Sequence, residues 1–259
     1  MRLLAAEFRK LTYQRAIWGL LLASVAFTAL GTAVTPVIIE QTTGSLGFGT
    51  LEDQSIVDSV YANAISGYIF AVLVGVLIVA GEFRHGTAVA TYVAAPRRGR
   101  VLLAKLGTAA LAGLGFQIIS TALGFGAGYV ALQFYPNAAA PSVTIFINTS
   151  IAAVVSGVVL GILGAAVAAL IRSQVLALIG LLIWLFAIEP ILLLVFPDQG
   201  QFFLSGLITA IVAIDVQSEQ FNINTADFAD PVTATLLLLG YALVFAIVSL
   251  VVDMRRDIE

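Results

Sequence analysis

The sequence predicts an all-α membrane protein with six transmembrane helices. An N-terminal helix in the membrane interface, a short helix in the loop after span 2, and a re-entrant or interfacial helix before span 6 complete the plan. Three observations lead there. Hydrophobic residues make up 60% of the 259-residue chain, charged residues only 10%, and the mean hydropathy is +1.05. A soluble domain carries roughly 25% charged residues and needs them to cover its surface. The apolar residues are gathered in blocks long enough to cross a hydrocarbon core of ~30 Å at ~1.5 Å per residue. Finally, all 12 Lys and Arg fall in four places that alternate along the chain with loops free of them.

The spans read as Ile17–Ile39, Tyr61–Gly81, Leu106–Leu132, Val143–Ile171, Val175–Phe196 and Val232–Val252. The first is longer than a signal-peptide core of roughly 7–15 residues and lacks a small-x-small cleavage site, so it is expected to be retained. A further apolar run, Phe202 to Ile214, is too short to cross and is expected to be re-entrant or interfacial, within a loop covering 197–231. The whole chain, 1–259, is read as one transmembrane domain. Without cysteine it has no disulfide framework, thiolate nucleophile or Cys-based metal site.

Orientation follows from the basic residues. Arg2, Arg9, Lys10 and Arg15 precede span 1, and Arg84, Arg97, Arg98, Arg100 and Lys105 follow span 2. Arg172 lies between spans 4 and 5, and Arg255 and Arg256 follow span 6. The positive-inside rule then places both termini in the cytoplasm. The opposite loops are acidic, with Glu40, Glu52, Asp53 and Asp58 in one and Asp198, Asp215, Glu219, Asp227 and Asp230 in another.

Within residues 1–16, Leu4, Phe8 and Leu11 recur at helical spacing, with Arg2 and Arg9 opposite. That pattern suits a helix lying in the interface plane before span 1. In segment 82–100, Thr87 is placed to cap a short helix and Pro96 to stop it. Val89, Tyr92 and Val93 then share a face suited to a groove on a cytoplasmic partner. An ordinary basic loop obeying the orientation rule would look similar, and charge alone does not separate the two. Glu82, which opens this segment, is placed to pair with Arg84 or with a basic residue of the N-terminal helix. His85, the only histidine, has no Cys or carboxylate at metal-ligand spacing, so no metal site is expected.

The run GEFRHGT at 81–87, followed by APRRGRVLLAKL at 95–106, resembles the cytoplasmic loop of ABC-2 type permeases, the membrane subunits of many bacterial ABC exporters. The likeness extends to the whole plan of helices. It implies that the helix after span 2 couples to an ATPase subunit, with Glu82, Gly86, Thr87, Val89, Tyr92 and Val93 in the coupling segment. It further implies two ATPase subunits carrying ATP and Mg, a second copy or paralogue of the permease, and a bacterial cytoplasmic membrane. The expected cargo is a hydrophobic or amphipathic drug, lipid or peptide.

Glu189 is the only acid well inside a span, ~10 Å from its end, and Pro190 follows it. It is therefore a candidate for the translocation path, or else a structural group that satisfies backbone N–H groups freed where the proline disturbs span 5. Gly157-x-x-x-Gly161 in span 4 is a small-xxx-small pattern for close helix packing.

The sequence contains no GxxxxGK[ST] phosphate loop, no HExxH and no GxSxG, so ATP hydrolysis and the common hydrolase chemistries are not expected of this chain. No cofactor is expected in it. Its basic clusters lack interleaved aromatics and lie beside spans, which favours lipid or protein partners over nucleic acid. Two rival readings are an ion-gradient-driven secondary transporter and a membrane-embedded enzyme. The first calls for broken helices in both halves, and the sequence signals a break only in span 5. The second lacks an evident catalytic partner for Glu189.

Overall fold

The computed structural model describes residues 2–42, 49–84, 86–87, 93, 98–213, 217–218, 223–224 and 229–255. They form an all-helical bundle in which six stretches are long and apolar enough to cross a membrane, the pattern of a multi-pass membrane protein. In order the helices are α1 (Arg2–Tyr13), α2 (Arg15–Thr42), α3 (Gln54–Ala62), α4 (Tyr68–Arg84), α5 (Arg98–Leu132) and α6 (Val143–Ile171). They continue as α7 (Gln174–Ile183), α8 (Glu189–Val195), α9 (Leu204–Val212) and α10 (Pro231–Arg255). A two-residue antiparallel ladder pairs Gln217–Ser218 with Ile223–Asn224.

The centre of the bundle is α6, packed chiefly on α4 and α5. Small residues make this approach possible. A Cβ at Gly113 of α5 would strike the Gly157 carbonyl, and one at Gly161 would strike that of Ala109. On the other side of α6, a Cβ at Gly75 of α4 would meet the Gly161 carbonyl. Without a hydrophobic drive between helices in lipid, such backbone proximity is what packs them. Around this core α2 packs on α5, while α7 and α10 both pack on α6.

The span read as Tyr61–Gly81 is instead a 31-residue stretch, Gln54–Arg84, with a break in it. A 3₁₀ turn at Asn63–Ile65 separates α3 from α4. The freed carbonyls are satisfied from α5, where Thr121 Oγ1 donates to Ala64 O at 3.1 Å and Gln117 Nε2 to Ile65 O at 2.7 Å. Hydropathy could not show this, because Asn63, Ser66 and Gly67 are small interruptions and the polar groups that compensate them lie on another helix. Breaks therefore occur in spans 2 and 5, and the expectation of a single break in span 5 is corrected.

Span 5 is interrupted by a π turn, Trp184–Ile188, with the Glu189 N–H bonded to Trp184 O. Pro190 explains it. Its ring clashes with the carbonyl four residues back and it has no N–H to give, so the helix widens by a residue there. The chain then turns through a 3₁₀ segment, Pro197–Phe202, into α9, which is packed among α6 and α10.

Candidate functional site

The end of the bundle that carries the basic residues holds a closed ring of four charges. Glu82, near the end of α4, lies 2.7 Å from Lys105 Nζ of α5 and 3.0 Å from Lys10 Nζ of α1. Both ammoniums also bond Glu7 of α1, at 2.9 Å from Lys105 and 2.8 Å from Lys10. Lys10 and Lys105 are the only lysines in the sequence. The Lys105 side chain is 2% exposed, and such burial is tolerable only because two carboxylates compensate the charge. Burial works against the charge on Glu7, but the adjacent Lys105 and Lys10 ammoniums prevail and hold its carboxyl below the ordinary value. Burial likewise opposes the charge on Lys10, and its bonds to Glu7 and Glu82 prevail and raise it above the usual lysine value.

The next residue, Phe83, belongs to a second cluster. The Arg172 guanidinium lies 5.8 Å from the centre of its ring, within cation–π range. Arg172 also bonds Asp253 of α10 at 3.2 Å. Arg172 sits at the C-cap of α6 with φ 53° and donates its N–H to Ala168 O, and Ser173 then caps α7. Glu82 thus ties α4 to α1 and α5, whereas Phe83 meets the cluster that joins the ends of α6 and α10.

Immediately beyond, Gly86 ends α4. Its φ of +65° is the left-handed conformation glycine adopts freely. Gly86 N–H bonds Phe83 O and Thr87 N–H bonds Glu82 O, the two hydrogen bonds of a Schellman C-cap. Thr87 Oγ1 also points to Glu82 O at 3.5 Å, so Thr87 closes the helix before it. Val93 is helical and 78% exposed. Val89 and Tyr92, like His85 and Pro96, lie outside the described residues.

In α1, Leu11 is buried, and Leu4 packs toward Gly107 of α5. Phe8 is 41% exposed, beside Leu111. Glu7 shares the buried face, which a purely apolar pattern does not reveal. The expected pairing of Glu82 with a basic residue of the N-terminal helix is met by Lys10, whereas Lys105 and Arg172 read in the sequence only as orientation signals and Glu7 and Asp253 carry no local mark of pairing. The only two lysines of the sequence, one before span 1 and one before span 3, fall on the same side as Glu82 by the positive-inside rule.

Glu189 occupies a different place. It is 1% exposed, and its Oε1 accepts the Ser205 backbone N–H at 2.6 Å and the Ser205 hydroxyl at 2.8 Å. Ser205 lies in the first turn of α9, whose N-cap, Phe203, has no side-chain oxygen to offer. Glu189 supplies the missing cap from another segment, where the helix dipole favours negative charge. Asn148 Nδ2 serves the other end of α9 by donating to Val212 O at 3.2 Å. Glu189 Oε2 has no hydrogen-bond partner among the described residues. Among the described residues, no three His, Asp or Glu side chains converge as a metal site. The sequence matches no family model and no curated protein.

Proposed function

We propose that this chain is the permease subunit of an ATP-driven ABC-type transporter that exports a hydrophobic or amphipathic molecule. Two separate ATPase subunits supply the energy, and a second copy or paralogue of the permease completes the translocation path. The basic end of the bundle and both termini face the cytoplasm of a bacterial cell, in accordance with the positive-inside rule.

The observation that carries this reading is the position of Glu82 and Phe83. They stand at the start of segment 82–100, the proposed coupling segment, and their contacts reach two clusters on different helices. A push on that segment would therefore reach α1 and α5 through one residue and the Arg172–Asp253 pair through the next, instead of being absorbed by a slack loop. α1 serves as the interfacial helix and α9 as the re-entrant one. The test is copurification of the cognate ATPase with the permease, and substrate-stimulated ATP hydrolysis in lipid, for wild type, Tyr92→Ala and Val93→Asp. Loss of binding or of coupling in both variants is expected, since truncating a buried aromatic anchor costs about 2 kcal/mol or more and a buried unpaired charge costs still more. Wild-type binding and coupling in both would sink the reading.

One observation favours the secondary-transporter alternative. Spans 2 and 5 are both interrupted, and interrupted helices build ion sites in such proteins. Proteoliposomes containing the permease alone, with an imposed proton or sodium gradient, separate the two. Gradient-driven accumulation without ATPase would establish the alternative.

A further inference from the structure

Between α6, α7 and α10 lies a cavity of about 420 Å³. Its floor is formed by Leu163, Val167 and Ile171, one every four residues along one face of α6, so it extends over ~12 Å. Phe202 and Phe203, which lead into α9, form its roof. α7 and α10 both pack on α6 and hardly on each other, which leaves a gap between them. The flanking faces carry exposed apolar side chains such as Ile179, Ile183 and Leu243, so the gap opens onto a surface suited to hydrocarbon.

The chemistry of the lining narrows the occupant. Among the described residues, no charged one lines the cavity. The one side-chain hydroxyl among the described lining residues, Tyr241 OH, donates to Phe202 O at 3.0 Å and so secures the roof. The carboxylate beyond the roof, Glu189, is turned toward Ser205. An elongated cavity with an apolar lining and a lateral mouth takes a hydrocarbon chain in preference to a charged or hydrogen-bonding molecule.

We propose that this cavity binds a single alkyl chain of a membrane amphiphile, which enters between α7 and α10 and lies along α6 beneath Phe202 and Phe203. Binding stands independently of any ATPase. Only its role as a cargo site rests on the transporter reading.

The protein carries its own reporter. It has two tryptophans, Trp18 and Trp184, and Trp184 lines the cavity. Trp18→Phe leaves Trp184 as the sole fluorophore. The full chain is placed in bilayers of unlabelled phosphatidylcholine and titrated, at low mole fraction, with stearic acid or with phosphatidylcholine bearing bromines in mid-chain. Quenching above that of a variant with the cavity filled is expected, linear in mole fraction for the phosphatidylcholine, whose chains exchange with identical host chains. An excess with both probes means that the chain alone is recognised, and an excess with one identifies the source.

Gly180 provides the control, because it lines the cavity and a Cβ there would meet nothing within 4 Å. Gly180→Phe fills the space, and the excess quenching should be lost. Gly180→Ala, which favours the helix, should weaken it and serves if the phenylalanine variant fails to fold. Gly240→Phe, on α10 but outside the lining, should leave it unchanged. Quenching equal in the Trp18→Phe background and in its Gly180 variants overturns the proposal. So does an excess that appears only after dilution to monomers, which would mean that a second copy covers the cavity. Failure here leaves ATPase binding untouched, so the two readings fail separately.

Discussion

Lys105 Nζ, on a side chain almost without solvent contact, lies 2.7 Å from a carboxylate oxygen of Glu82 on a different helix. Each of these residues also belongs to a pair with α1, through Glu7 and Lys10 respectively. Removing one partner of a buried ion pair leaves the other charge uncompensated. Lys105→Met should therefore destabilise the protein by about 3 kcal/mol, read as a lowered unfolding midpoint in mixed micelles. Glu82→Gln with Lys105→Met should cost clearly less than the sum of the single changes. Strict additivity would mean that the two groups do not interact.

The same ring predicts how attachment of α1 responds to pH. Glu7 has a lowered pKa in the folded protein, so its contribution is present above its unfolded value near 4.5 and is lost as pH falls through the folded value. Lys10 has a raised pKa, so its contribution is complete below 10.5 and is lost as pH rises through the folded value. Protease protection of residues 2–13 should hold across neutral pH and decline at both extremes. Glu7→Gln should weaken both limbs, because the Glu7 carboxylate is also one of the two that raise Lys10.

Glu189 serves α9 as an N-cap. Glu189→Leu removes both bonds to Ser205 and should cost about 1–2 kcal/mol, the range for a lost cap. Glu189→Gln keeps an acceptor oxygen and should cost less. Hydrogen exchange in 204–212 reads this directly. If Glu189→Gln reduces the proposed transport while exchange stays at wild-type level, the carboxylate has a role in the proposed path beyond capping.

Glycines at helix crossings should be intolerant, and those facing open space should not. Gly113→Ala and Gly161→Ala place a methyl against a backbone carbonyl and should cost about 1–3 kcal/mol by overpacking. Gly19→Ala and Gly240→Ala meet nothing within 4 Å and should be neutral, or stabilising by up to about 1 kcal/mol through helix propensity. Thermal unfolding of the four variants in one detergent makes the comparison.

Topology can be tested without background because the chain has no cysteine. Asp53→Cys and Asp230→Cys should react with an impermeant thiol reagent added to intact cells, and Arg98→Cys only after lysis. The reverse pattern would invert the proposed orientation.

By itself the sequence determined the class and the number of long apolar helices, because hydropathy is summed over about twenty neighbouring residues and needs no knowledge of distant ones. It placed α6 at Val143–Ile171 without error and marked the disturbance at Glu189-Pro190 from proline chemistry. Small-residue packing at Gly157 and Gly161 was legible for the same local reason. Tertiary structure alone decided which charges meet. Glu7 and Lys105 are 98 positions apart, and nothing in either local sequence distinguishes a buried ion-pair member from a charge that only orients a span. It also decided the break at Asn63–Ile65, since a helix can give up its own hydrogen bonds only where a neighbour such as Gln117 or Thr121 supplies others. Whether Glu189 is a cap depended likewise on the approach of Ser205, sixteen residues away, because a carboxylate's partner is fixed by where the chain returns and not by its neighbours in sequence.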